Sequence, residues 1–205
     1  MELLDTAAIF RFHQYLVEKH GNDTCAALGW KTVEAQTARY KILSRIGDLN
    51  NCTVMDVGCG YGDLRNYLAA IYPGIRYIGI EQIPAFLNIA IDRYGGLPET
   101  VFFDGDFSAS ELPLVDYIIA CGALSYRNSD PAYVFKMIEK LFNNCRQGFG
   151  FNLLGKTADP DGIIACYNPN LIMDFCNKLT DNIQFIDGYW ESDFTVMMYH
   201  HQAGA

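Results

Sequence analysis

The stretch VMDVGCGYG, at residues 54–62, decides the fold of this chain. It joins a short apolar run with one embedded acid, Asp56, to glycines at the alternate positions 58, 60 and 62. Apolar residues then recur at the spacing of one helix face, at Leu64, Tyr67, Leu68 and Ile71. This pattern predicts a strand, a tight turn and a helix. Such a junction offers free backbone N–H groups to a ligand, and glycine lets the backbone approach that ligand closely.

The composition favours a globular protein with a full core, and we predict a single domain over residues 1–205. Half of the residues are hydrophobic (50%) and 19% are charged. The net charge of −9 opposes binding to a phosphate backbone, so we expect no nucleic-acid partner. No apolar run approaches the roughly 20 residues of a membrane span, and the acidic start lacks the basic residues of a signal peptide. We therefore expect no membrane partner and a cytoplasmic location.

The cysteine and histidine pattern argues against disulfides and metal sites. Seven cysteines are scattered along the chain, and no C-x-x-C spacing occurs. An odd number of unclustered cysteines is more typical of reduced thiols than of a disulfide framework or a zinc site. His200 and His201 are adjacent, but no further ligand residues accompany them. We predict free thiols and no metal site.

Helix and strand patterns follow one another in a regular order. Residues 1–50 are predicted to form an N-terminal helical cap, and residues 51–205 a core in which strands and helices alternate. Asp130-Pro131 and Asn168-Pro169 are each predicted to start a helix as an N-cap followed by proline. The predicted strands are Thr53–Val57, Arg76–Ile80, Thr100–Phe103, Asp116–Cys121, Gln147–Leu154, Ile183–Ile186 and Phe194–Tyr199. This alternation predicts an α/β fold with a mainly parallel sheet, in which ligands bind beyond the carboxyl ends of the strands.

Acidic and aromatic residues follow the predicted strands at this edge. Glu81 closes the second strand, where a carboxylate can accept both hydroxyls of a ribose. Asp56 either takes part in ligand binding or caps the turn through its backbone amides. Asp106 follows the third strand and either bonds an exocyclic amine of a base or belongs to a turn, for which the preceding Asp104-Gly105 pair is favoured. Phe107 would flank the base, and Gly122 would let the backbone after the fourth strand approach the ligand.

The glycine turn departs from the dinucleotide fingerprint G-x-G-x-x-G. Gly58 and Gly60 fit it, but its third glycine position is occupied by Asp63, and Gly62 comes one residue too early. A nicotinamide oxidoreductase is therefore disfavoured.

The same residues resemble the class I S-adenosylmethionine-dependent methyltransferases. The stretch 54–62 resembles their first motif, with its D-x-G-x-G-x-G core intact, and Glu81, Asp106 and Cys121–Leu124 match the segments after the next three strands. The resemblance implies a three-layer Rossmann-like methyltransferase fold, with a mainly parallel seven-stranded sheet and an antiparallel late strand at Phe194–Tyr199. It also implies S-adenosylmethionine as cofactor, bound by Asp56, Gly58, Cys59, Gly60, Tyr61, Glu81, Gln82, Asp106, Phe107, Cys121 and Gly122.

Two of the predicted cofactor contacts have structural alternatives. Tyr61 either helps to hold the cationic cofactor through its ring or is a packing residue. Arg39 either pairs with the carboxylate of the cofactor or forms a surface salt bridge.

The predicted acceptor side of the site lies after the fourth and fifth strands. Ser125 and Tyr126 belong to the run that follows the fourth strand, and Asn152 lies near the end of the fifth. His13 is either a general base or a buried core histidine, since it shares a helix face with apolar residues. The segment from Leu154 to Asn168 has little regular pattern and is predicted to be a lid.

The leading hypothesis is an enzyme that methylates a small molecule, because no separate recognition domain is apparent. The alternative is a non-catalytic protein of the same fold that binds the cofactor and partners another protein. The sequence leaves open whether the protein is a monomer or a homodimer.

Overall fold

The computed structural model describes residues 2–156, 159 and 161–201, and the predicted order of elements is confirmed. The helices are α1 (Leu3–His20), α2 (Val33–Leu43), α3 (Asp63–Ile71), α4 (Pro84–Tyr94), α5 (Tyr133–Asn143) and α6 (Pro169–Cys176). The strands are β1 (Thr53–Val57), β2 (Arg76–Glu81), β3 (Thr100–Asp104), β4 (Val115–Ala120), β5 (Cys145–Leu154), β6 (Ile183–Asp187) and β7 (Asp193–Tyr199).

The strands form one sheet in the order β3-β2-β1-β4-β5-β7-β6. Strand β1 lies at its centre and pairs in parallel with β2 and β4. Strand β7 is inserted between β5 and β6 and is antiparallel to both, so the predicted late antiparallel strand is confirmed. The chain reverses its direction of travel across the sheet between β1 and β4. This switch point is where open α/β sheets bind ligands.

Alternate residues of the central strands bury their side chains on opposite faces of the sheet. Val54 and Ile119 belong to the cluster that packs under α2 and α3. Met55 and Ile118 belong to the cluster that packs under α5 and α6. Because side chains alternate along a strand, these nearly continuous apolar strands require helices on both faces, which produces three layers.

A third apolar cluster places α1 over the carboxyl edge of the sheet. Ile9 of α1 and Ala27 pack there with Tyr61 of the glycine turn and with Ile83 and Phe86 at the start of α4. The N-terminal residues therefore cover the edge at which the sequence places the ligand.

One helix start differs from the prediction. Helix α5 begins at Tyr133 with Ala132 as its N-cap, rather than at Pro131 with Asp130 as its N-cap. The Asp130 side chain instead accepts the Ala132 N–H at 2.9 Å and closes a tight turn before the helix. Asn168 does cap α6 as predicted, and its side chain accepts the Asn170 N–H at 2.9 Å.

A bilayer-spanning helix is not found in the part of the chain that the structure describes.

Candidate functional site

The glycine turn between β1 and α3 is held in a shape that favours glycine. Gly58, Gly60 and Gly62 have φ values of +69°, +56° and +74°. A Cβ atom on Gly58 would also lie 2.7 Å from the Ala123 Cβ. The N–H groups of Gly58 and Cys59 donate to the Ile80 carbonyl at 2.9 and 3.1 Å, which ties the turn to the end of β2.

Glu81 joins this turn to the start of α4. Its buried carboxylate accepts the Gly60 N–H at 2.9 Å through Oε2 and the Ile83 N–H at 2.8 Å through Oε1. Burial raises the pKa of Glu81, and the backbone hydrogen bonds from Ile83 and Gly60 oppose that rise. Each carboxylate oxygen keeps further acceptor capacity, so Glu81 can receive hydroxyl groups from a ligand as well.

A cavity of about 510 Å³ opens at this edge of the sheet. The structure brings all but two of the sequence-predicted site residues to its wall, although they come from α1, α2 and the ends of five strands. Those that line it are His13, Arg39, Asp56, Gly58, Cys59, Gly60, Glu81, Gln82, Phe107, Cys121, Gly122, Ser125, Tyr126 and Asn152.

Tyr61 is the first of the two predicted residues that do not line this cavity. Its hydroxyl donates to Asn22 Oδ1 at 2.9 Å and accepts the Asp23 N–H at 3.0 Å. Its ring meets Phe86 edge to face, and the Arg93 guanidinium lies over it at 5.3 Å. The prediction of a cofactor contact is therefore corrected to the packing alternative, because both the ring and the hydroxyl are engaged behind the turn.

Asp106 is the second predicted residue outside the cavity wall. Its side chain accepts the Ser108 N–H at 2.8 Å, and its carbonyl accepts the N–H groups of Ala109 and Ser110. Its side chain thus belongs to a turn, as in the second alternative, although the hydrogen bond spans residues 106–108 rather than the Asp104-Gly105 pair. Its neighbours Gly105 and Phe107 line the cavity instead.

Arg39 forms a buried ion pair in the cavity wall. Its Nε donates to Asp193 Oδ1 at 3.0 Å, its Nη2 donates to Asp193 Oδ2, and its Nη1 donates to the Ala35 carbonyl. The guanidinium also lies 4.7 Å from the centre of the Trp30 ring. The salt-bridge alternative is corrected from an exposed to a buried pair, whose carboxylate is that of Asp193, while pairing with the carboxylate of the cofactor stays a prediction.

Asn152 extends this network to the turn after β4. Its side-chain oxygen accepts the Gly122 N–H at 2.8 Å, and its side-chain nitrogen donates to Asp193 Oδ1 at 3.1 Å. Both ends of the amide thus contact the protein and tie the turn after β4 to β7, and the predicted catalytic role stays a prediction. Trp30 closes the far side of Gly122, where an added Cβ would lie 2.7 Å from the indole ring.

His13 and Tyr126 meet in the cavity although they lie 113 residues apart. His13 Nε2 is 2.7 Å from the Tyr126 hydroxyl, and His13 Nδ1 is 2.9 Å from the Ala27 carbonyl oxygen. Burial lowers the pKa of His13, while the bond to Ala27 opposes this effect. His13 is thus buried and hydrogen-bonded, as in one alternative, and also lines the cavity, as the other requires.

The segment that contains the predicted lid is fixed against Tyr126 where the structure describes it. Ala165 donates to the Ser125 carbonyl, and Arg127 donates to the Ile163 carbonyl, both at 2.7 Å. Residues 157, 158 and 160 of the segment lie outside the described residues. These bonds hold the backbone of Ser125 and Tyr126 at the cavity wall.

Asp56 lies beneath the glycine turn. Its Oδ2 atom accepts the Tyr77 hydroxyl proton at 2.5 Å. The pKa of Asp56 is raised to about 7, because burial and, to a smaller extent, the nearby Glu81 carboxylate outweigh the opposing hydrogen bond from Tyr77. The alternative that Asp56 caps the turn is not seen among the described hydrogen bonds.

Sequence reasoning missed Asp193 and gave Trp30 no role. Asp193 is the first residue of β7, and its register partner is Leu154 at the end of β5. Because β7 runs antiparallel, its first residue lies at the edge where the parallel strands end. The insertion of β7 beside β5 was itself predictable, so the signal for Asp193 was present.

In the part of the chain that the structure describes, no group of histidine, cysteine or acidic residues could hold a metal ion.

Comparison with known proteins finds methyltransferases by sequence. Residues 55–148 match the family model described as Methyltransferase domain. A Mycobacterium tuberculosis protein named as a methyltransferase is 25% identical over 155 residues, which are 71% of this chain and 92% of that protein. The magnesium-protoporphyrin O-methyltransferase of Rhodobacter capsulatus is 30% identical over 128 residues. That match covers 60% of this chain and about half (54%) of the relative. The ribosomal RNA small subunit methyltransferase A of Allorhizobium ampelinum is 34% identical over 101 residues, 46% of this chain and 36% of that protein.

The fold has the same relatives. The crystal structure of magnesium protoporphyrin IX methyltransferase from Synechocystis PCC 6803, with bound SAH, superposes with a TM-score of 0.72. The match covers 96% of this chain and 100% of that one at 13% identity, so it supports the fold alone. The family model spans the glycine turn, Glu81 and the residues that follow β3 and β4, which form one part of the cavity wall. Motif, fold and relatives thus agree on a methyltransferase domain, which the family model matches over residues 55–148.

Proposed function

We propose that the protein transfers the methyl group of S-adenosylmethionine to a small-molecule acceptor bound in the same cavity. The observation that carries this proposal is the link between Glu81 and the glycine turn at the switch point of the sheet. The cofactor supplies a methyl group that its sulfonium has already activated. The chain then has to position two reactants and to receive any proton that the acceptor loses.

The donors and acceptors of the cavity fit this cofactor. Gln82 Oε1 is a buried acceptor for which the described part of the chain provides no donor, and Gln82 lines the cavity. An amine or hydroxyl group of a nucleoside would satisfy it. Glu81 would hold the ribose and Phe107 would flank the base. Asp56 and the backbone at Gly58 would face the cationic end of the cofactor.

The acceptor side is formed by Ser125, Tyr126 and His13. Among them, the pair of His13 and Tyr126 is the candidate for receiving a proton. A small acceptor is favoured because N-terminal residues cover the cavity: an added Cβ on Gly60 would lie 2.9 Å from Leu28 Cδ2. The net charge of −9 also opposes a nucleic-acid acceptor. A cytoplasmic location is consistent with the seven free cysteines.

Isothermal titration with S-adenosylmethionine and with its demethylated product tests the proposal directly. We expect both to bind with one site per chain, and nicotinamide dinucleotides not to compete. Absence of binding at millimolar ligand would reject the proposed function. Binding without turnover of any acceptor, together with a stable complex with another protein, would favour the non-catalytic alternative.

The raised pKa of Asp56 predicts that cofactor binding releases a proton. Asp56 is buried beside Glu81, and burial raises its pKa to about 7, so a large share of the ligand-free protein carries that proton below neutral pH. A cationic ligand stabilises the charged carboxylate and lowers its pKa, and affinity should therefore rise with pH up to about 7 and then level off.

Titration calorimetry at pH 6.5 in two buffers of different ionisation enthalpy measures this proton release. Asp56→Asn keeps an oxygen that can accept from Tyr77 but removes the titrating group. The variant should bind the cofactor more weakly, and its measured binding enthalpy should be the same in both buffers. The same proton release in the variant would show that another group titrates.

A further inference from the structure

The hydrogen bond between His13 and Tyr126 has a direction that its surroundings fix. The Ala27 carbonyl can only accept, so the proton of the neutral His13 ring resides on Nδ1. The Nε2 atom then offers a lone pair and accepts the Tyr126 hydroxyl proton. The Tyr126 oxygen keeps its own lone pairs, and because Tyr126 lines the cavity, this oxygen is available to accept one hydrogen bond from a bound molecule.

The cavity wall around this pair is apolar and aromatic. The rings of Phe12 and Phe86 contact the His13 ring edge to face at 5.1 and 5.0 Å. Ile9 and Ile83 are buried in the same apolar cluster, and both line the cavity. Such walls favour a flat apolar body on the acceptor. An acceptor bound against these walls would also need one hydrogen-bond donor for the Tyr126 oxygen.

The charges in the cavity oppose an acceptor that is itself an anion. The described lining residues include five carboxylates and three cationic side chains. Two of these cations are already paired with carboxylates, Lys31 with Glu191 and Arg39 with Asp193. A carboxylate acceptor would enter a cavity with an excess of negative charge, and it would bring no proton for Tyr126 to accept.

We infer that the acceptor is a neutral aromatic hydroxyl compound, whose O–H proton passes to the pair of Tyr126 and His13 during methyl transfer. This inference rests on the proposed function and names the second substrate of the same cavity. An amine acceptor attacks with a lone pair it already has, and a carboxylate is already ionised. Of the three classes, a weakly acidic hydroxyl gains most from a positioned base.

The atoms and charges balance in this step. The acceptor oxygen forms its bond to the methyl carbon as the carbon–sulfur bond breaks, and the electron pair of that bond stays on sulfur. The acceptor O–H proton moves to the Tyr126 oxygen, and the Tyr126 proton moves to His13 Nε2. The sulfonium charge is thus replaced by the charge of a protonated His13, which returns its proton to water when the product leaves.

A matched set of acceptors tests the inference with the whole protein. We expect formation of the demethylated cofactor with phenol and 2-naphthol at rates at least about tenfold above those with aniline, 2-naphthylamine, benzoate and 2-naphthoate, since general base catalysis contributes about 10²–10⁴-fold. Tyr126→Phe keeps the ring and removes the hydroxyl group through which the proton passes to His13. Measured at mildly alkaline pH, its rate should fall about 100-fold with phenol, but less than tenfold with 4-nitrophenol, which is then largely ionised and needs little help from a base.

The outcomes separate this inference from the proposed function. Turnover confined to the amines or carboxylates would overturn it, and so would equal losses on the two phenols, which would indicate a structural role for Tyr126. No turnover of any compound by protein that binds the cofactor would overturn it as well, while leaving cofactor binding intact. Failure of the wild-type protein to bind the cofactor would instead reject the proposed function.

Discussion

Replacing Asp193 by asparagine should lower the free energy of unfolding by about 3–5 kcal/mol. The Arg39 and Asp193 side chains are 8% and 0% exposed, so the variant would leave a guanidinium buried without its counter-charge. In either orientation the asparagine amide would also turn its N–H₂ group toward a donor of Arg39. Urea unfolding followed by circular dichroism measures this loss of stability. An unchanged slope of the free energy of unfolding against urea concentration would show that the unfolding reaction is the same.

An exposed ion pair of the same chain provides the matched control. Lys31 and Glu191 also connect the N-terminal residues to the region before β7, but their side chains are 72% and 56% exposed. Glu191→Gln should therefore cost no more than about 1 kcal/mol. The double variant Arg39→Met, Asp193→Leu should recover much of the stability lost in Asp193→Asn, because it leaves no unpaired charge. Equal losses in the Asp193 and Glu191 single variants would contradict the importance that we assign to the buried pair.

The sheet and its helices could be predicted because each element has a local signal. Val54 and Met55 pack on opposite faces, and both faces are covered, which is why the central strands read as continuous apolar runs. The glycine turn was predictable for a similar reason, since its three glycines adopt conformations that other residues rarely accept. Asp130 shows the limit of such signals, because an aspartate before proline can close a turn as readily as it caps a helix.

The partners of the residues in the cavity wall could not be predicted, because these contacts join parts of the sequence that lie far apart. Arg39 and Asp193 lie 154 residues apart, and their pairing follows from the register of β7 beside β5. Asp106 lies off the cavity wall for a related reason, because its side chain accepts from a backbone N–H group two residues away. Polar residues at strand ends could thus be placed at the correct edge, but their partners came from the tertiary structure.

Glu81→Ala should weaken binding of the cofactor and of its demethylated product by about tenfold or more. The substitution removes the carboxylate that would hold the ribose. It also leaves the Gly60 and Ile83 N–H groups without their acceptor, at a cost of about 1–3 kcal/mol for each group that stays buried. Titration calorimetry gives the affinity, and thermal unfolding without ligand gives the separate effect on stability.

Asp104→Ala is the control for Glu81, because it removes a neighbouring carboxylate at the same edge of the sheet. Asp104 is the register partner of Glu81 on β3, but it is exposed and does not line the cavity. Its loss should change the affinity less than twofold and should slightly favour the ionised form of Glu81, since the two carboxylates repel each other. If both variants bound the cofactor as the wild type does, Glu81 would only tie the turn to α4. A loss in Glu81→Ala alone, in protein that unfolds cooperatively, would assign this carboxylate to the ligand.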